Sequence, residues 1–150
     1  LSALLPALGY LQYALTDFEY EDILYELSTE LQRLSGNKDL SSISNYAASC
    51  KARELILDSL GEDLSLSCLA EAVGHDRWQL SRDFRLSFGT SPYRYRTLRR
   101  LEQARKMLLS GMPVIMAAFE CGFSDQSHFG RQFKKTYGVS PKGWLKTIRL

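Results

Sequence analysis

Two groups of cationic and hydrogen-bonding side chains recur in the 150-residue chain: Arg77, Trp78, Ser81, Arg82 and Arg85, then Gln126, Ser127, Gly130, Arg131, Lys134 and Lys135. The groups correspond at an offset of 49 residues, so that Arg82 matches Arg131 and Arg85 matches Lys134. Arginine and glutamine are the side chains that grip guanine and adenine edges with paired hydrogen bonds. Lysines at a helix end suit phosphate oxygens, which fix register without reading sequence. One basic helix face is usually only a solvated surface. Two at a fixed offset, each held by the same frame, need a common cause.

That frame is apolar. Leu80 matches Phe129, Phe84 matches Phe133, Phe88 matches Tyr137, Gly89 matches Gly138, and Ser91-Pro92 matches Ser140-Pro141. Upstream, at an offset of 48, Leu66 matches Val114, Ala70 matches Ala118 and Gly74 matches Gly122. Each unit is a short helix containing alanine, a glycine turn and a longer helix. Glycine at a helix end takes the left-handed conformation that reverses the chain sharply. The small residue four positions earlier lets the next helix cross close by, as in a helix-turn-helix. Leu80, Phe84 and Phe88 lie one turn apart and face inward, as do Phe129, Phe133 and Tyr137. The two polar groups above then face outward.

Helical spacing runs through the rest of the chain, and no strand-like alternation of useful length is present. Leu1, Leu4, Leu5, Leu8, Leu11 and Leu15 predict one amphipathic helix; Ile23, Leu24, Leu27, Leu31 and Leu34 predict a second, capped by Thr16 or Asp17. "SGNKDLSS" at 35–42 reads as a linker. Beyond it, helices are predicted at about 46–60, 66–73, 76–88, 92–109, 113–121, 125–137 and 141–148, with Pro113 in a first turn. The fold class is all-α: two helix-turn-helix subdomains joined by a long connecting helix and preceded by an amphipathic helical pair. Residues 1–44 form one region and residues 45–150 another, with helix-turn-helix units at about 65–88 and 113–137.

Charge divides the same way. Residues 1–50 hold 2 Lys+Arg against 7 Asp+Glu, and residues 51–150 hold 17 against 10, so the repeat-bearing part is basic and points to a polyanionic partner. The connecting helix, roughly 27 Å long, adds Arg94, Arg96, Arg99, Arg100, Arg105 and Lys106, placed either near phosphates or in solvent. Successive major-groove faces recur every ~34 Å along DNA, so a rod of that length suits two reading helices about one turn apart. Apolar residues at 45% argue for a globular chain rather than a disordered one. No apolar run approaches the roughly 18 residues that span a bilayer. Three cysteines offer no paired framework, which suits a reducing cytoplasm. The opening on Leu1 rather than Met suggests a fragment or a processed product.

Residues 50–148 resemble the DNA-binding domain of the AraC/XylS family of bacterial transcription regulators. "AFECGFSDQSHFGRQFKKTYGVSPKGW" carries the most specific part of the likeness, "RRLEQARKMLL" resembles the connecting helix, and "LSLSCLAEAVG" the first helix-turn-helix. The resemblance implies that Arg77, Trp78, Ser81, Arg82, Gln126, Ser127, Gly130 and Arg131 occupy DNA-contacting places, Gly130 where a side chain often stands. It also implies an activator that contacts double-stranded DNA and RNA polymerase in the bacterial cytoplasm. Residues 1–44 then resemble the tail of an effector or dimerisation domain, through which a homodimer could form. No cofactor, membrane or catalytic residue is implied.

Two other readings compete with this one. A helical protein-interaction module would turn the basic faces toward an acidic protein. A metal- or cysteine-dependent regulator of the DNA-repair kind would use Cys68 with His75 and Cys121 with His128. Both pairs are seven residues apart, wider than zinc sites prefer, and not equivalent in the repeat, where Cys68 aligns with Met116 and Cys121 with Val73.

Overall fold

Glycine and capping residues set the helix ends in the computed structural model, which describes residues 17–35 and 45–148. Eight α-helices, and no strand, make up the secondary structure of the described residues: α1 Asp17–Leu34, α2 Tyr46–Asp58, α3 Leu66–Val73, α4 Arg77–Phe88, α5 Pro92–Leu109, α6 Val114–Glu120, α7 Gln126–Tyr137 and α8 Pro141–Ile148. The helix predicted over the first fifteen residues, the Thr16 cap and most of the predicted linker lie outside the described residues. None of the described helices is long and apolar enough to cross a membrane.

Four boundaries differ from expectation, two of them because of side-chain caps. α4 and α7 each start one residue late, because Asp76 and Asp125 are extended caps whose carboxylates accept from Gln79 N at 2.9 Å and His128 N at 2.7 Å. Pro113 stands before α6 rather than in its first turn, with an extended ψ of 142°. α2 stops at Asp58, ahead of Gly61.

Packing divides the chain into two units, the first holding α1, residues 46–55 of α2, α3 and α4, the second holding residues 56–63 and everything from Arg94. The two turns are built alike. In the first, His75 N donates to Ala70 O at 2.9 Å and Gly74 N to Glu71 O at 3.0 Å; in the second, Phe123 N donates to Ala118 O at 3.0 Å and Gly122 N to Phe119 O at 2.9 Å. This paired pattern needs a left-handed residue, and Gly74 and Gly122 supply it at φ 71° and 75°. Ala70 and Ala118 are buried where small size was expected.

The inward stripes are core. Leu80, Phe84, Phe129 and Phe133 are fully buried, and Phe88 and Tyr137 pack edge-on against Phe84 and Phe133 at ring distances of 4.8 and 4.6 Å. In the second unit Leu101, Ala104 and Leu108 of α5 complete a cluster with Ala117, Ala118 and Cys121. Trp144 of α8 closes it, with its ring 5.8 Å from Phe133.

Most of the α5 arginines have structural partners, which corrects the expectation that they face phosphates or solvent. Arg100 donates from Nε to Leu60 O at 2.6 Å and from Nη2 to Glu62 O at 2.9 Å, and Arg96 also donates to Glu62 O. Arg105 lies over the rings of Tyr137 and Trp144 at 4.9 and 5.1 Å, and Arg99 pairs with Glu102 at 2.7 Å. Each guanidinium satisfies carbonyls or covers aromatic faces of its own unit.

Candidate nucleic-acid interface

α7 presents the more open of the two outward faces. Gln126, Ser127, Lys134 and Lys135 are exposed, while Gly130 and Arg131 are half-buried. A Cβ added at Gly130 would meet nothing within 4 Å, so the missing side chain leaves open space in the middle of the face. Asp125 holds the helix start. Hydrogen bonds from the backbone, His128 N above all, keep its carboxyl below the ordinary carboxylate range. His128 is buried, edge-on to Phe123 at 5.5 Å, and is not part of the face.

α4 carries the equivalent positions in different surroundings. Arg77 is exposed. Arg82 donates from Nε and Nη2 to Asp83 Oδ1, both at 3.2 Å, and His75 Nε2 lies 3.8 Å from the other oxygen of this buried carboxylate. At the matching position of α7, Arg131 is followed by neutral Gln132. Neighbouring residues on a helix do not normally face each other, so helical spacing hides the tether between Asp83 and Arg82.

The largest departure concerns Ser81. Expected to face outward, it is only 3% exposed and offers no free hydroxyl surface. It lies one turn from Trp78 and Arg85, and both of those touch α1. Tyr25 stacks on Trp78 with ring centroids 5.7 Å apart and planes at 29°. The Arg85 guanidinium sits 4.1 Å over the same Tyr25 ring and pairs with Asp22. At the edge of this contact Tyr93 Oη donates to Glu19 at 2.6 Å. Stacks and cation–π contacts of this kind are worth about 0.5–1.5 kcal/mol each. Of the apolar stripe of α1, Ile23, Leu24 and Leu27 are half-buried, while Leu31 and Leu34 are exposed.

The cysteines stand apart from both faces. Cys121 is buried in the second core, where desolvation pushes its thiol up to about 11, and Cys68 is exposed on α3. Among the described residues no group of three or more His, Cys, Asp or Glu side chains is placed to hold a metal.

Residues 69–147 match the model of a helix-turn-helix domain. The chain is 33% identical over 93 residues to the multiple antibiotic resistance protein MarA of Escherichia coli, covering 61% of this chain and 73% of MarA. It is 31% identical over 142 residues to the transcriptional activator RhaS of Escherichia fergusonii, covering 78% of this chain and 51% of RhaS. Among solved structures, the DNA-binding domain of AdpA, a global transcriptional factor determined with a target DNA, superimposes with a TM-score of 0.63 at 25% identity, over 68% of this chain and 93% of that one. The chain belongs to the AraC-type helix-turn-helix family of transcription regulators. It spans about half the length of RhaS and 40% of a Bacillus subtilis relative to which it is 36% identical. The family is one of DNA-binding regulators, not a class of enzymes.

Proposed function

We propose that the chain is the DNA-reading part of a transcription activator, which inserts α4 and α7 into successive major-groove segments of one duplex. The observation that carries this is the double turn: one hydrogen-bond pattern at two glycines, each followed by a helix with an outward arginine at the same register, Arg82 and Arg131. On this reading Gln126 and Arg131 contact base edges and Lys134 and Lys135 contact phosphates, while Arg77, Trp78, Arg82 and Arg85 serve the first segment. Ser81 contributes only if the surface over it opens. Residues 45–150 are the DNA-binding region, and residues 1–44 belong with an effector or dimerisation domain. The likeness to RhaS, named a transcriptional activator, supports activation, and contact with RNA polymerase is the route proposed for it. The protein then works in the bacterial cytoplasm, on the chromosome.

The test is selection of bound duplexes from a randomised DNA pool near physiological salt. A single site with two short fixed blocks about one helical turn apart is expected. Unselected sequence with steeply salt-dependent affinity would leave only phosphate attraction and overturn the reading.

A further inference from the structure

We propose that α1 is an acidic mask on the first reading helix, so that α1 and DNA compete for the same face of α4. The inference rests on the assignment of that face to DNA. Within the span Asp17–Leu34, α1 holds Asp17, Glu19, Glu21, Asp22, Glu26 and Glu30 against a single arginine, Arg33. It engages the polar face: Asp22 takes the Arg85 guanidinium, and Tyr25 lies flat on Trp78 and beneath Arg85. These partners reproduce what a nucleic acid would offer, an anionic oxygen for the cation and a flat π-face for the indole. Ser81, between them, is shut from solvent.

The second unit is an internal control. At the same register in α7, Ser127 and Lys134 are exposed and Gly130 opens onto empty space. The two helices share one frame, yet only α4 has Arg85 and its tryptophan engaged by another helix, so the engagement comes from α1 and not from the helix-turn-helix. The face of the first reading helix is partly occupied in this conformation, Arg85 and one side of the Trp78 ring being engaged while Trp78 stays 46% exposed, and that of the second is open. Binding at the second head comes first, and engagement of the first requires α1 to leave. Anything that holds α1 elsewhere raises affinity for the two-block site, because a competent state that is only fractionally populated weakens apparent binding by that fraction.

Tyr25→Ala in the full chain tests this, because it changes no charge and so cannot act through weaker repulsion of phosphates. Affinity for the selected two-block duplex should rise about tenfold, within the 5–150-fold span of a typical coupling, and Asp22→Asn should act in the same direction. In a Trp144→Phe background Trp78 is the sole tryptophan, and its emission should change when duplex is added, as Tyr25 is exchanged for DNA. If the Tyr25→Ala protein keeps its helical circular dichroism and binds no better than the parent, while Arg131→Ala weakens both, the mask is wrong and the DNA reading stands. If no variant binds any duplex and Arg131→Ala changes nothing, the DNA reading falls and the mask with it.

Discussion

Gly130 and Arg131 are adjacent on α7 and make opposite demands. A glycine inside a helix costs about 0.5–1 kcal/mol relative to alanine, and nothing within 4 Å of a Cβ here would offset that gain. Gly130→Ala should therefore raise stability by about that amount in urea unfolding; a lower midpoint would show that the space is not open. Arg131→Ala should cost about 1–3 kcal/mol of binding to the cognate site, measured against a scrambled duplex. An equal loss on both duplexes would make Arg131 a phosphate contact rather than a base reader. Arg82, its counterpart, must share its guanidinium with Asp83. The tether holds the fork in place, and the same substitution there acts on the fold as well as on binding.

At the scale of the helices, the two glycine turns share a hydrogen-bond pattern but not a neighbourhood. A Cβ at Gly74 would meet nothing within 4 Å, whereas one at Gly122 would lie 2.6 Å from Arg100 Nη2 and 3.0 Å from Gly61 O. Left-handed backbone alone costs an alanine roughly 1–2 kcal/mol. Gly122→Ala should lower stability beyond Gly74→Ala, since Arg100 must also move off the carbonyls it holds; equal losses would show that Arg100 gives way freely. The Asp125 cap adds a pH dependence. Its carboxyl is depressed below the ordinary 3.8, so its stabilisation is present above that value and lost as pH falls through the lower folded one. Asp125→Ala should cost about 1 kcal/mol at neutral pH, and the gap from the parent should close only in acid. Helix spans, stripes and turn glycines were legible because each is set by residues three or four apart. The arginines of α5 were not, because their acceptors, Leu60 O and Glu62 O, are 34–40 residues away. The engagement of Arg85 was hidden for the same reason, since Asp22 is 63 residues away.

For the whole molecule the charge division acquires a use on the proposed reading: the acidic helix α1 lies against part of the basic face assigned to DNA. The two heads are carried by one chain, and α5 runs without a break from Pro92 to Leu109. A helix of 18 residues is about 27 Å long and does not stretch. If one chain engages both blocks at once, as proposed, the two heads tolerate less change in block spacing than a dimer with flexible arms would. Inserting 5 base pairs between the two blocks of the selected site turns the second block to the far side of the duplex. Inserting 10 restores the side but moves the block about one helical turn further along. Both insertions should reduce binding to that of a single head, a loss on the order of 10²-fold, which is the lower end of what linking two sites gives. A gel-shift titration of the three duplexes reads this directly. Recovery of affinity with the 10-base-pair insertion, but not with 5, would mean that two chains rather than one span the site, and would move the connection from α5 to a dimer contact.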